Sequence, residues 1–286
     1  MNGINLKIKD FIKKTKIKNM ETTKINHIVS CRLNGGLGNY MFQISAAYSN
    51  SLRDNKEFVC DYSDSTVGHN SYKTYTDNIF RKIKFTDGIP SFVSFFENGI
   101  EYTEIPKIDD NLKLFGDFGS EKYFKDYQNK ISELFEIDEK TNNELHKKYS
   151  DLINSPNTCS IHVRRGDYLN LQDYHKVQEI DYFINAYNEM GADKKYLIFS
   201  DDTEWCKKNF DFIKNKIIIE GNTDYQDLYL MSLCKDNIIC NSTFSWWGAW
   251  LNKNNNKKVI VPKNWFGPKF AHLRIDDVFC DGWVVL

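Results

Sequence analysis

Beyond residue 157 the chain alternates, with few interruptions, between short apolar runs and longer segments of helical spacing. Cys159–Val163, Lys195–Ser200, Lys216–Glu220, Asn237–Cys240 and Lys257–Val261 read as strands. Glu179–Met190, Thr203–Phe210, Asp224–Cys234 and Phe244–Leu251 read as the helices between them. Strands alternating with helices imply a parallel sheet covered on both faces. Such a sheet takes its ligands beyond the carboxyl ends of its strands. A second β/α pattern stands near the start: a strand at His27–Leu33, the turn "NGGLGN", a helix at Tyr40–Asp54 and a strand at Glu57–Asp61. The residues from 63 to 149 are aromatic-rich and give no clear order. A polar, Pro-containing stretch at 150–156 separates the two patterns. The expected division is a basic flexible tail at 1–26, one domain at 27–154 and another at 155–286.

Composition narrows the function. A net charge of −1 argues against a nucleic-acid surface. The Lys-rich tail has no apolar run long enough for a signal peptide or a membrane span. Weak contact of this tail with a membrane surface is a minor alternative to its being merely mobile. No other segment is long and apolar enough to cross a bilayer, so the expected location is cytoplasmic, with a peripheral membrane association as the variant. Seven cysteines, an odd number with no C-x-x-C, fit reduced thiols better than disulfides or a zinc site.

Three strand ends carry chemistry. In "HVRRGDY" (His162–Tyr168) two adjacent arginines leave a buried strand. Cations at such an edge need anions, either Asp167 or a bound phosphate. Neighbouring side chains diverge, so one arginine is expected to be structural and the other to face a ligand. In "CNSTFSWWGAWL" (Cys240–Leu251) Ser242 and Thr243 open a helix. They read either as simple caps or, with the free N–H groups there, as phosphate ligands. Trp246, Trp247 and Trp250 read as core. Asp202 in "FSDD" and Asp227 in the preceding helix can each contact nucleotide donors or merely favour a helix N-terminus. From the other domain, Gly36 and Gly38 form an incomplete dinucleotide fingerprint with Asp61 as its distant acid; a tight turn without a ligand is the rival reading. Taken together, these features describe a nucleotide held in an interdomain cleft.

The segments "GGLGNYMFQ", "HVRRGDY", "FSDD" and "NSTFSWWGAW" stand in the order found in the α-1,2-fucosyltransferases, glycosyltransferase family 11, and the chain resembles that family over residues 27–286. One departure is Tyr40, where the family has Gln. The resemblance implies an α/β, GT-B-like fold, two Rossmann-like domains facing across a cleft. It also implies GDP-fucose as donor, a galactose-terminated oligosaccharide or glycolipid as acceptor, inversion at the anomeric carbon, and no metal or other cofactor. No Asp-x-Asp at a plausible strand end speaks for a metal either. On this reading Arg164 contacts the phosphates, Arg165 and Asp167 hold the loop as an ion pair, and His162 lies beside guanine or ribose. Asp202 or Asp227 accepts from guanine. Ser242, Thr243 and Phe244 close on the phosphates, and Gly36, Gly38 and Asn39 face the donor. Asp167 is also the nominee for catalytic base. The alternatives are a GT-B enzyme with another GDP-sugar or linkage, and a silent nucleotide- or glycan-binding module.

Overall fold

A computed structural model describes residues 27–67 and 70–286; the Lys-rich tail lies outside the described residues. The larger sheet has six parallel strands: β5 (Thr158–Val163), β6 (Lys195–Ser200), β7 (Lys216–Ile218), β8 (Asp236–Ile238), β9 (Val259–Val261) and β10 (Val284–Val285). Their order across the sheet is β7-β6-β5-β8-β9-β10. Every residue of β5 is buried, as a central strand covered on both faces requires. The chain runs outward from β5 to β7, then returns to the other side of β5. The order therefore reverses between β5 and β8, and the crevice at that reversal is where an open α/β sheet binds its ligand.

A smaller sheet precedes it, formed by β1 (Ile28–Cys31), β2 (Glu57–Phe58), β3 (Val93–Phe96) and β4 (Leu112–Phe115) in the order β2-β1-β4-β3, again all parallel. Its first crossover helix, α1, spans Leu37–Asp54 and ends at Asn55, which takes the left-handed conformation common beyond helix ends. The expected strand at Glu57–Asp61 is broken: Cys60–Asp61 leaves the sheet to pair with Phe85–Thr86. Asp61 is no nucleotide ligand. Its carboxylate meets Lys113 Nζ at 2.7 Å, both side chains being 1% exposed. Burial alone would raise its pKa, but hydrogen bonds from Lys113 and from the N–H groups of Ser63 and Gly88 bring it down to about 2.

Three short helices follow, α2 (Gln128–Leu134), α3 (Glu139–Lys148) and α4 (Ser150–Ile153). The larger sheet carries α5 (Ile180–Met190), α6 (Thr203–Asn209), α7 (Asp224–Leu233) and α8 (Thr243–Trp250). Helix α8 is apolar on almost every side, so it can only be stable inside the molecule. Its three tryptophans are buried. The Phe42 ring on α1 lies 4.5 Å from Trp246 and 5.1 Å from Trp247, and Phe124 stacks on Trp247 at 5.3 Å. One hydrophobic cluster thus runs from the smaller sheet through α1 and α8 to the larger sheet.

Candidate active site

A cleft of about 600 Å³ opens at the β5/β8 reversal, between the two sheets. From the larger sheet it is lined by His162, Arg164, Asp167, Asp227 and the turn Ser242, Thr243 and Phe244. From the smaller sheet's side come Gly36, Gly38 and Asn39. Ten of the sequence-derived site residues therefore meet on one cleft.

Arg164 leaves β5 into this space. Its Nη2 lies 2.7 Å from Asp167 Oδ1 and its Nη1 3.0 Å from Asp201 Oδ2. The Tyr168 ring sits beside the guanidinium, 5.7 Å from centroid to Cζ. Gly166 makes this arrangement feasible, because a Cβ there would stand 2.6 Å from Asp201 Oδ2. Arg165 turns the other way, as successive residues leaving a strand do. Its Nε donates to Asp202 Oδ2 at 3.1 Å, and its guanidinium lies over the Trp205 ring at 4.0 Å. The expected Arg165–Asp167 pair is thus replaced by two pairs, Arg164–Asp167 and Arg165–Asp202. Arg165 and Asp202 lie outside the cleft lining, and Asp202 also caps α6 through the Trp205 N–H. Arg165 thus holds the loop as expected but through another acid, and Asp202, a candidate guanine ligand by sequence, is engaged in locking the β5 loop to the β6 end.

His162 is buried, with Nδ1 3.1 Å from Cys240 Sγ and its ring 5.3 Å from Phe244. Burial, aided by the Arg164 charge, lowers its pKa to about 3, so it is a neutral imidazole at working pH. Burial acts oppositely on Asp227, raising its carboxyl to about 6 while Asn222 Nδ2 donates to it at 2.8 Å.

The glycine turn approaches α8 from the other side. A Cβ on Gly38 would stand 2.5 Å from the Thr243 carbonyl carbon and 2.6 Å from the Phe244 nitrogen. Gly38 therefore serves a backbone-to-backbone approach of the two halves. Trp247 Nε1 donates to the Gly38 carbonyl at 3.0 Å, and Thr243 Oγ1 donates to Asn39 Oδ1 at 2.7 Å. Gln43 braces the same turn, with its amide paired to both backbone groups of Asn34. At the next turn Asn241 is buried and spends its amide on the Lys176 and Trp265 carbonyls, so the "NST" tripeptide is an internal anchor.

The residues matched by the profile for "Glycosyl transferase family 11" run from 3 to 286 and take in every described residue. The chain belongs to glycosyl transferase family 11. It is 34% identical, over 84% of its length and 92% of the relative's, to the alpha-1,2-colitosyltransferase of Escherichia coli. It is 30% identical to the Escherichia coli O-antigen biosynthesis glycosyltransferase WbnK, over 83% and 94% of the two chains. The bovine (Bos taurus) galactoside alpha-(1,2)-fucosyltransferase 1 is 30% identical over 60% of this chain and 52% of its own. Among solved structures, the fucosyltransferase NodZ from Bradyrhizobium superposes with a TM-score of 0.52 at 13% identity, covering 79% of this chain and 92% of that one. The fold is GT-B-like and the protein is a glycosyltransferase.

Sequence reasoning missed several cleft residues. Asp201, inside "FSDD" but passed over for its neighbour Asp202, is the second acid on Arg164, beside Asp167. Glu97, Asp117 and Tyr75 come from the aromatic-rich middle. Tyr75 and Asn70 both donate to Asp224 on α7, and the Tyr40 hydroxyl donates to the Asn70 carbonyl at 3.1 Å. The family departure at Tyr40 is therefore a buried side chain that holds the rim of the cleft. Among the described residues no cluster of three or more His, Cys, Asp and Glu side chains is arranged to hold a metal ion. The seven cysteines are free thiols, six of them buried.

Proposed function

We propose that the chain transfers L-fucose from GDP-fucose to the 2-hydroxyl of a terminal galactose, with inversion at the fucose anomeric carbon and without a metal ion or other cofactor. The observation that carries this reading is the convergence of Arg164 and the N-terminus of α8 on one cleft at the sheet's reversal. A departing diphosphate gathers negative charge, and preorganised cations and N–H groups stabilise it most where solvent is excluded. Arg164 supplies the cation, fixed in aim by Asp167 and Asp201. Ser242, Thr243 and Phe244 bring hydroxyls and the helix N-terminus to the phosphates. Asp227 accepts from guanine N–H groups, and the neutral His162 lies beside the ribose or base. Gly36, Gly38 and Asn39 close the donor in from the first half, residues 27–154, which also carries the acceptor. Asp167, committed to the Arg164 guanidinium, positions that cation instead of acting as the base. The acceptor is a galactose-terminated oligosaccharide or glycolipid. Free buried thiols suit a cytoplasmic location, and the Lys-rich residues 1–26 would bring the enzyme to a membrane surface where lipid-linked acceptors lie.

The similarity to a colitosyltransferase favours a second reading, in which the donor carries colitose. The test is GDP release with lactose as acceptor and EDTA present, from GDP-fucose, GDP-colitose and GDP-mannose in parallel. Acceptor-dependent release from GDP-fucose is expected. Release from GDP-colitose alone would install the second reading, and an absolute need for added metal would overturn the metal-free one.

A further inference from the structure

The turn Gly116–Gly119 is held by Glu97 at the end of β3. Glu97 Oε2 accepts from the backbone N–H groups of Asp117 at 2.7 Å and Phe118 at 2.8 Å. Its Oε1 accepts from the Tyr123 hydroxyl at 3.0 Å. A Cβ on Gly116 would stand 2.4 Å from Glu97 Cβ, so glycine is what lets the carboxylate sit under the turn. Phe118 takes a left-handed backbone, φ +51°, costly for a bulky residue. Its fully buried ring, T-shaped against Tyr123 at 5.1 Å, holds it there. Strain of this kind persists only where the surroundings over-determine it, and it gathers at working sites. Two residues of the turn line the cleft, Asp117 and Gly119, and of these only Asp117 has a side chain that can take a proton. Among the described residues no cation lies within ion-pair distance of Asp117, unlike Asp61, Asp167, Asp201 and Asp202.

We infer that Asp117 is the general base, accepting the proton of the acceptor hydroxyl as that oxygen attacks the anomeric carbon. The inference rests on the transferase reading above. In the step, the acceptor oxygen forms the new bond to carbon. The bond from that carbon to the diphosphate oxygen breaks, and its electron pair leaves with GDP. The acceptor proton passes to an Asp117 carboxylate oxygen and later to water. Inversion demands that nucleophile and leaving group lie on opposite sides of the sugar. Arg164 and α8 belong to one wall of the cleft, and Asp117 to the other. Glu97 shares that wall, but its oxygens are taken by three donors, so it positions Asp117. Asp117 is open to the solvent of the cleft, and partial desolvation by the surrounding walls raises its carboxyl above the ordinary aspartate range, the direction that favours a base. The other ionisable groups on the cleft are Glu97 and Tyr75 from the first half of the chain, and Arg164, Asp167, Tyr168, Asp201, His162 and His175 from the second. Asp224 and Asp227 stand at the α7 side.

The test compares wild type with Asp117→Asn and Asp117→Ala, using GDP-fucose and lactose, with GDP affinity measured by calorimetry. Loss of a general base costs roughly 10²- to 10⁴-fold in rate. The expected result is a kcat loss of that size in both variants, GDP affinity within about threefold of wild type, and loss of the acid limb of the kcat/KM profile. Transfer within about fivefold of wild type in Asp117→Asn would overturn the assignment. So would an equal loss of GDP affinity in both variants, which would put Asp117 in the donor site. If the wild type itself transfers no fucose, the transferase reading fails first, a result distinct from either.

Discussion

Arg164 is the residue on which the proposed chemistry turns. Asp167 and Asp201 grip it from two sides, so its guanidinium is aimed before any donor arrives. Arg164→Ala should lose about 10²- to 10³-fold in kcat, the usual cost of removing one charge-stabilising donor, with an unchanged circular dichroism spectrum. Activity near wild type would remove Arg164 from the phosphate site. The adjacent cations were legible in "HVRRGDY", and so was their split into one inward and one outward arginine. Of their partners, Asp167 could be read from the same motif, but which arginine it joins could not, nor could the other two acids. Asp201 and Asp202 come from the end of the next strand, and only the β5/β6 register, Val163 beside Ser200, brings them together. Asp117 was illegible for a different reason: "FGDFG" has no chemical signature until Glu97 folds beneath it.

Among the elements, the contact of α1 with α8 decides whether the cleft has two walls. Gly38 lies against the Thr243 and Phe244 backbone, which cannot rotate away as a side chain can. Gly38→Ala should therefore lower stability by about 1–3 kcal/mol, as overpacking does, and weaken donor binding as the walls part. Chemical denaturation and GDP calorimetry on the same variant check both effects. Helices and strands beyond residue 157 could be read from the sequence to within about two residues, because each strand is a continuous apolar run and each helix keeps its period. The middle resisted because its strands are two to four residues long and its turns are held by side-chain hydrogen bonds from distant residues, as at Asp61 and Glu97. Strand β10, two residues at the chain's end, was also missed.

At the scale of the whole molecule, the shared core joining both sheets means that the described halves should unfold together in one transition. Its pH dependence follows from opposed buried groups. His162 stays neutral in the fold to about pH 3 but protonates near 6.5 when unfolded, so it removes stability as pH falls from about 6.5. Asp227, raised to about 6, does the reverse between about 6 and 4, because there the folded state binds the extra proton. Each contributes at most about 1.4 kcal/mol per pH unit, so the two offset across that window. Asp61, held to about 2, adds a further loss below about 4. Stability should thus be nearly level from pH 6 to 4 and drop steeply below. In Asp227→Asn the decline should begin near 6.5, and a decline unchanged from wild type would refute the opposition.

The measurement that bears most directly on the transferase account is the structure of its product. Incubated with GDP-fucose and lactose, the enzyme should yield a trisaccharide whose NMR spectrum shows L-fucose α-linked to C2 of galactose. A β-linked fucose, or attachment at any other carbon, would contradict the inverting α-1,2 transfer on which the assignment of both cleft walls depends.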